Sequence, residues 1–372
     1  MGDTGCRWGK RHRVQRGAQM SKSLSAMVGA AAAATVAVLL TSVTLAGQAQ
    51  SAASTPAAGQ GKSTWTTPRT PWGDPDLQGI YTSNDNVGVP IERPERFGTR
   101  TMLTDKEFAE RDKEAKRAAL DDKGDRRQLA ADNTGDGPEH WYERGKTSRR
   151  TSLVVDPPDG RVPLTPAMRK RADDWEKQRF GKGGVSTWLD FDLWDRCITK
   201  GMPTVMVPLG YNNSYEIFQA PGYVAIFYEV IHDVRIIPLD GRPHIDQSLR
   251  QWLGDSRGRW EGDTLVVEVT NFSEKTMGNQ QPAGPYRGGG MSQRLIERFR
   301  RIGPDALEYK VTLEDKDAFT RPWTMDIPLA KDDNYQIFEY ACHEGNLSMV
   351  NMLEGIYGRQ DATDEPGKTT NR

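Results

Sequence analysis

The stretch EYACHEGN, residues 339–346, places a thiol beside an imidazole and a carboxylate. Such a group can supply a nucleophile, a metal ligand or a crosslink. A second cysteine, Cys197, precedes Cys342, and in an oxidising compartment an even cysteine count indicates a disulfide first. That bond would close a loop of roughly 145 residues and contribute about 5 kcal/mol in the chain-entropy model. Two unpaired buried thiols, or a catalytic or metal role, are the alternatives.

Residues 1–50 predict export and therefore the oxidising compartment. Six basic side chains lie within residues 1–22, an uncharged Ala-rich run follows, and the small residues QAQSAAS come next. This is the order of a secretory signal peptide, with cleavage expected between Ala49 and Ala53. Met20 is an alternative start. An uncleaved anchor is an alternative interpretation, because the apolar run approaches the ~20 residues that span a bilayer. We predict a periplasmic or extracellular protein with no membrane attachment after cleavage.

Loss of the leader changes the charge balance of the chain. It removes Cys6, six of the 50 bases and one of the 51 acids, which leaves 44 bases, 50 acids and a net charge of about −6. No basic cluster with interleaved aromatic residues remains. Because binding to phosphates requires a positive surface, a nucleic-acid partner is not expected.

Composition and periodicity divide the rest of the chain into four predicted parts. These are a Ser/Thr/Pro/Gly-rich linker at 51–75, a helical and irregular segment at 76–209, a β-barrel at 210–360 and a disordered tail at 361–372. Two highly charged helices are expected in the second part. One begins after Thr104, with Glu107 completing a capping box, and the other begins after Thr165, with Pro166 as its first residue.

From about residue 215 the hydrophobic pattern changes to a period of two, which indicates strands. The strands are predicted at Tyr215–Gln219, Val224–Glu229, Val234–Leu239, Thr264–Phe272, Arg294–Ile302, Leu307–Glu314, Trp323–Leu329 and Tyr335–Cys342. Their number and short spacing predict a mainly β protein, with an antiparallel lipocalin-like barrel or a strongly curved sheet. There is no βαβ alternation, no GxGxxG after a strand and no GxxxxGK[ST], which argues against a dinucleotide-binding fold.

The alternation in one hairpin predicts a buried carboxylate. Leu307–Glu314 has one apolar and one polar face, and its partner RLIERFRRI must choose a register. One register buries Arg298 and Arg300, whereas the other buries Glu297 between two apolar side chains. A single buried carboxylate costs less than two guanidinium groups, so we predict that Glu297 points into the barrel.

Further polar and aromatic side chains are expected on the same interior. The predicted ligand-binding residues are Asn271, Tyr309, Trp323, Tyr340, Glu344 and Trp260. A mainly apolar lining with a few convergent polar groups is typical of a small-molecule pocket. The alternative is that Glu297 pairs with an arginine such as Arg259 or Arg294 and only fixes the register.

Acid–base chemistry is the second possibility for this pocket. The histidine spacing matches no metal-binding signature, so no metal site is predicted. The candidate catalytic groups are His244 or His232, paired with Glu297 or Asp255. No GxSxG or SxxK motif supports serine acyl-enzyme chemistry.

Two resemblances add to this interpretation. GRWEG at 258–262 is similar to the Gly-x-Trp-x-Gly entry of lipocalin-like (calycin) barrels, where a Trp closes one end, which implies that role for Trp260. PDLQGIY, CITKGMP, DGRPH, GRWEGDTLVVEVTNF, ERFRR, TRPWT and EYACHEGN resemble the motifs of a family of exported acidobacterial and proteobacterial proteins without an established activity. Tyr81 stands where that family usually has Trp. The resemblance implies export and a barrel but no mechanism.

These observations lead to three hypotheses. The first is an exported protein that binds a small, partly apolar molecule, aromatic or terpenoid-like, inside the barrel. The second is a lyase, isomerase or hydrolase that uses carboxylate and histidine chemistry in the same pocket. The third is a structural protein of the cell envelope. The sequence identifies no cofactor, reaction or oligomeric state.

Overall fold

The computed structural model describes residues 65–121, 143, 145–180, 187–276, 290–344, 346, 347 and 349–355. The predicted signal peptide, the linker up to residue 64 and the tail from residue 361 lie outside these ranges. Within them, no helix combines the length and the apolar character that crossing a membrane requires.

Eleven strands in the described ranges form one sheet, in which every pairing is antiparallel. They are β1 (Gly79–Thr82), β2 (Val154–Asp156), β3 (Ser214–Ala220), β4 (Tyr223–Tyr228), β5 (Val234–Pro238), β6 (Asp255–Glu261), β7 (Thr264–Thr270), β8 (Arg294–Gly303), β9 (Ala306–Glu314), β10 (Trp323–Asp326) and β11 (Leu329–Lys331).

The order of the strands shows how the sheet curls. It runs β5-β4-β3-β1-β11-β9-β8-β7-β6. Strand β10 lies off this path: it pairs with the same edge of β9 as β11, farther along β9, and it also pairs with β2. The end strands β5 and β6 lie against each other. No ladder joins them among the described strand pairings. The sheet is therefore a nearly closed barrel, which confirms the predicted mainly antiparallel β fold.

The β8–β9 hairpin has the predicted register. Phe299 is paired with Tyr309, and Glu297 is paired with Val311. All four side chains are buried, whereas Arg298 faces outward and is exposed. The rule that one carboxylate is buried in preference to two guanidinium groups therefore gave the correct face.

The predictions for the C-terminal strands require correction. The segment 335–342 is not a strand, because its backbone groups find other partners: the N–H of Phe338 donates to the Glu229 carboxylate at 3.3 Å. The single strand expected at Trp323–Leu329 is divided into β10 and β11 by Pro328, which has no N–H for a ladder. Strands β2 and β6 were not predicted.

Two helices lie between the first three strands in sequence, one between β1 and β2 and one between β2 and β3, and both begin as predicted. In α1 (Asp105–Asp121), the Thr104 hydroxyl accepts from the N–H of Glu107 at 3.3 Å, and the Glu107 carboxylate accepts from the N–H of Thr104 at 2.8 Å. In α2 (Pro166–Phe180), the Thr165 hydroxyl accepts from the N–H of Met168 at 3.2 Å. The reciprocal pair at α1 and the single bond at α2 satisfy donors that a helix N-terminus otherwise leaves free.

A disulfide joins Cys197 to Cys342, with a Cα–Cα distance of 5.7 Å, which confirms the predicted crosslink. It ties the irregular segment before β3 to the irregular segment after β11. Within EYACHEGN, the Cys342 thiol is therefore a structural crosslink, and His343 beside it is exposed.

The contact between β5 and β6 depends on a glycine. Gly258 lies on the inner face of β6, and a Cβ there would lie 2.6 Å from Leu239 Cδ2 and 2.8 Å from Ile237 Cγ2. Both distances are too short for carbon atoms in contact. The close approach of the two end strands thus requires the absence of a side chain at this position.

We predict that Gly258→Ala lowers the free energy of unfolding by about 1–3 kcal/mol, because overpacking forces β5 away from β6. The control is Gly303→Ala at the end of β8, where a Cβ would meet only Ala306 Cβ at 3.9 Å. Its effect should stay within about 0.5 kcal/mol. Denaturant unfolding measures both values, and equal losses for the two variants would contradict the packing argument.

Candidate functional site

A buried ion pair lies at the centre of the barrel interior. Glu297 on β8 is 0% exposed and Arg235 on β5 is 3% exposed. Arg235 Nη1 donates to Glu297 Oε2 at 2.5 Å, and Nη2 donates to Oε1 at 3.2 Å. Tyr309 on β9 also donates to Oε1, at 2.9 Å. The planar guanidinium thus meets the carboxylate in the two-point geometry that favours arginine over lysine.

The electrostatics of this cluster keep its charges fixed. Burial opposes the charge on Arg235, but the Glu297 carboxylate more than offsets this effect, so the pKa of Arg235 is raised. Burial, together with the nearby Glu297 charge, raises the pKa of Tyr309 well above its ordinary value. The hydroxyl of Tyr309 therefore remains a proton donor to the carboxylate at any physiological pH.

A row of three tyrosines crosses the interior beside the ion pair. Tyr81 on β1 is in register with Tyr215 on β3, which is in register with Tyr228 on β4. All three are buried. The rings of Tyr215 and Tyr228 meet edge to face with centroids 5.9 Å apart, and the Tyr228 ring lies 5.8 Å from the guanidinium carbon of Arg235. Burial raises the pKa of each phenol.

Several polar atoms of this interior have no hydrogen-bond partner among the described residues. They include the hydroxyls of Tyr81 and Tyr228, Arg235 Nε and Trp260 Nε1. An unsatisfied buried polar group costs about 1–3 kcal/mol, so proteins rarely retain several together without a use. These four atoms belong to hydroxyl and N–H groups, all of which can donate a hydrogen bond.

A second polar group lies on the outer face of the barrel. His244, in the loop after β5, contacts Asp255 at the start of β6, with Nδ1 2.7 Å from Oδ2. The same Oδ2 accepts from the N–H of Ile245 at 3.2 Å, and Oδ1 accepts from Arg257 at 2.8 Å. Two donors other than His244 hold the Asp255 carboxylate, so the carboxylate can fix the position of the imidazole ring.

The other nitrogen of His244 faces a further carboxylate. Nε2 lies 4.0 Å from Oε1 of Glu268, which accepts from Arg294 Nε at 2.7 Å. The hydrogen bond from Arg294 lowers the pKa of Glu268. An imidazole oriented by one carboxylate, with its second nitrogen partly exposed, has the arrangement of a general base.

Asn271 has a positioning function in this outer group. Its backbone is left-handed (φ 59°), and its side-chain nitrogen contacts the carbonyl oxygens of Ile245, Asp246 and Leu249 at 3.2, 2.9 and 3.1 Å. The predicted position in the ligand-lining interior is wrong for this residue. Its amide instead anchors the loop that carries His244.

The remaining predicted residues are distributed over different parts of the molecule. Trp323 is fully buried, with its ring 5.5 Å from that of Phe319 in edge-to-face contact. Trp260 packs against the core from the inner face of β6. Tyr340 is half-buried and accepts from Trp194 at 2.9 Å. These placements leave their proposed ligand contacts as predictions.

Two candidates do not lie in the barrel interior. Glu344 is exposed on a turn, because the segment before it leaves the sheet and the strand alternation does not reach it. His232 is exposed in a turn with left-handed backbone, and its ring packs edge to face on Phe227. Neither lies beside Glu297 or Asp255, so of the pairings proposed only His244 with Asp255 is formed.

The sequence reasoning missed the partner of Glu297. Arg259 contacts Glu261 and Arg294 contacts Glu268 and Glu314, all on the outer face. The alternation of VRIIP in β5 gave no signal for Arg235, because the opposite face, with Val234 and Ile236, is the more apolar one and is nevertheless exposed. No group of three or more His, Cys, Asp or Glu side chains is placed to hold a metal within the described part of the chain.

The fold and these contacts define a nearly closed antiparallel barrel with a charged cluster inside an apolar interior. No protein-family model and no curated protein matches the chain. A solved structure of a secretary abundant heat soluble (SAHS) protein from Ramazzottius varieornatus matches with 13% identity and a TM-score of 0.21, over 38% of this chain and 87% of that chain. Similarity at this level carries no argument about function, and membership of the exported bacterial family remains a resemblance in sequence.

We predict strong coupling between Arg235 and Glu297. Arg235→Met and Glu297→Leu should each lower the free energy of unfolding by about 3–5 kcal/mol, because each leaves an unpaired buried charge. The double variant should lose at least about 2 kcal/mol less than the summed single losses, since no charge then remains.

The control for this double-mutant cycle is Arg294→Met, which breaks two half-exposed ion pairs on the outer face, with Glu268 and Glu314, and should cost about 1 kcal/mol. Urea unfolding of all four variants and the wild type measures the cycle. Additive losses at Arg235 and Glu297 would show that the two side chains do not depend on each other.

Proposed function

We propose that the protein binds a small, partly apolar molecule inside the barrel, through an oxygen atom of the ligand. The observation that carries this proposal is that two donors, the Tyr228 hydroxyl and Arg235 Nε, have no hydrogen-bond partner among the described residues. The Tyr228 ring lies 5.8 Å from the guanidinium carbon of Arg235, in an interior formed mainly by aromatic and aliphatic side chains. Pockets for small molecules combine such a lining with a few fixed polar groups.

The chemistry of the donors indicates the class of ligand. A guanidinium N–H can only donate, and a phenol donates or accepts. The complementary group is a carbonyl, hydroxyl or carboxylate oxygen on an aromatic or terpenoid-like body. Glu297 is already bonded to Arg235 and Tyr309, so its function is to hold these two groups in place rather than to contact the ligand.

The direct test is mass spectrometry of small molecules retained by the folded protein after production in its exported form. The proposal expects a stoichiometric, mainly apolar compound with at least one oxygen acceptor. A preparation that is folded, carries the disulfide and yields no compound, and that binds none from a library of aromatic and terpenoid alcohols, ketones and acids, would refute it.

We predict that Tyr228→Phe weakens ligand binding about tenfold, because a hydrogen bond of roughly 1–2 kcal/mol is lost. The same change should leave the ligand-free protein equally stable or slightly more stable, since it removes a buried hydroxyl without a partner. Calorimetric titration and thermal unfolding measure the two effects.

The matched control is Tyr223→Phe on the same strand, whose exposed side chain accepts from Arg242 on the outer face. It should not change the affinity. A loss of stability in Tyr228→Phe with unchanged affinity would show that the hydroxyl belongs to the packing of the core and not to a binding site.

The contact between His244 and Asp255 favours acid–base catalysis as a second candidate function. The reaction class would be that of a lyase, isomerase or hydrolase in which His244 Nε2 removes or delivers a proton. This site lies on the outer face of β6 and β7, so its substrate would bind outside the barrel. It would not use Glu297.

For this function, His244 must carry its proton on Nδ1, so that it donates to Asp255 and leaves Nε2 free. We predict this tautomer in the neutral imidazole, with a change to the Nε2–H form in Asp255→Asn, whose amide can donate to Nδ1. Nitrogen-15 NMR of the imidazole measures both forms. For any substrate turned over, His244→Gln should lower kcat by roughly 100-fold or more, and His343→Gln should have no effect.

An Nε2–H tautomer in the wild type, or equal activity of His244→Gln and His343→Gln, would eliminate His244 as the base.

A further inference from the structure

Lys200, in the CITKGMP stretch, has a position that neither proposed site explains. Its side chain is 2% exposed, and its Nζ has no hydrogen-bond acceptor among the described residues. The nitrogen lies 3.5 Å from the centre of the Trp194 ring. Because a buried ammonium group without an acceptor is costly, the equilibrium at this position shifts towards the neutral amine, compared with a lysine on the surface.

The surroundings hold the amine in place. Trp194 is fixed because its indole Nε1 donates to the Tyr340 hydroxyl at 2.9 Å. Cys197 and Cys342, three and two residues from Lys200 and Tyr340, join the two segments covalently. Trp194 and Tyr340 are only half-buried, so the aromatic side of this cluster reaches the protein surface.

The charges around Lys200 act in opposite directions. Burial lowers the pKa of the Lys200 ammonium to about 7, and the carboxylates of Asp192 and Asp195 partly counter this shift by favouring the charged form. About half of the molecules would therefore carry an amine with a free lone pair at neutral pH. For an ordinary lysine with a pKa of about 10.4, the fraction is roughly one in 2,500.

From this geometry we propose that Lys200 is a carbonyl-reactive site that captures small aldehydes or ketones as a Schiff base. A desolvated lysine next to an aromatic ring has the properties that such chemistry requires. The site is separate from the barrel interior and from His244, and the inference does not depend on the proposed function.

The reaction needs no oxidant or reductant. The lone pair of Nζ attacks the carbonyl carbon, a C–N bond forms, and the π electrons move to the oxygen. A proton passes from nitrogen to this oxygen to give a carbinolamine. Loss of water, with the second N–H proton leaving, then forms the C=N bond. The Asp192 and Asp195 carboxylates are the nearby groups that could relay these protons.

The test is reductive trapping of the full-length mature protein with acetaldehyde and sodium cyanoborohydride, followed by peptide mapping. At pH 7, modification of Lys200 should exceed that of the exposed Lys170 at least about tenfold, because a larger share of its amine is neutral. Lys200→Met, which retains an apolar stem, should lose this site alone.

The pH dependence separates reactivity from mere access. Lys200 labelling should rise from about pH 6 and level off near about pH 8. Lys170 labelling should continue to rise at higher pH, because the ion pair with Asp174 raises the pKa of Lys170 further. Labelling of Lys200 that is no faster than that of Lys170 at pH 7, or that follows the same pH profile, would overturn the proposal. In that case Lys200 is a structural cation held over Trp194.

Discussion

The ion pair between Arg235 and Glu297 is the constraint on which the closed shape of the barrel depends. The two residues lie on β5 and β8, on opposite sides of the contact between β5 and β6, where no described ladder closes the sheet. A curled sheet without that ladder needs another force to hold its ends together. The bidentate ion pair holds the ends together inside the barrel, and the close packing of β5 against Gly258 holds them together in the sheet itself. Because both charges are out of water, loss of either partner would leave a cost of several kcal/mol and would open the sheet at its weakest line.

Around this pair, some polar groups of the interior are hydrogen-bonded and others have no hydrogen-bond partner among the described residues. Glu297 receives three donors, and Tyr309 is fully engaged with it. The two terminal nitrogens of Arg235 donate to the carboxylate, and its Nε has no partner among the described residues. The hydroxyl of the neighbouring Tyr228 side chain has none either. An interior selected only for stability would favour phenylalanine over an unsatisfied tyrosine. The retention of these donors is the physical reason to prefer a binding function to a purely structural one.

The sequence predicts those features that follow from one strand or one hairpin. The inward position of Glu297 could be predicted because RLIERFRRI allows only two registers and their burial costs differ, and the helix starts at Thr104 and Thr165 could be predicted from local capping. Arg235 could not, since its partner lies 62 residues further along the chain. The local pattern of β5 even misleads: Val234 and Ile236 form its more apolar face, yet they are 54% and 55% exposed while Arg235 is buried. Here the tertiary ion pair determines which face enters the barrel, and the apolar side chains remain outside.

The outer group around His244 shows a second limit of prediction from sequence: the residues that interact can be proposed, but their place in the fold cannot. His244 and Asp255 are eleven residues apart in sequence, and their pairing could be proposed from residue type alone, but their location could not. It depends on Asn271, whose left-handed backbone and three carbonyl contacts fold the 245–249 loop back over β6. The strand pattern places Asn271 on the face of β7 that points into the barrel, so sequence reasoning assigns it to the interior. Its amide instead donates to the carbonyl oxygens of the 245–249 loop. Both candidate sites are therefore set by side chains that bind the chain's own backbone or its own charges. The groups left over, Tyr228 and Arg235 Nε inside and His244 Nε2 outside, are those that the two proposed functions assign to a ligand or substrate.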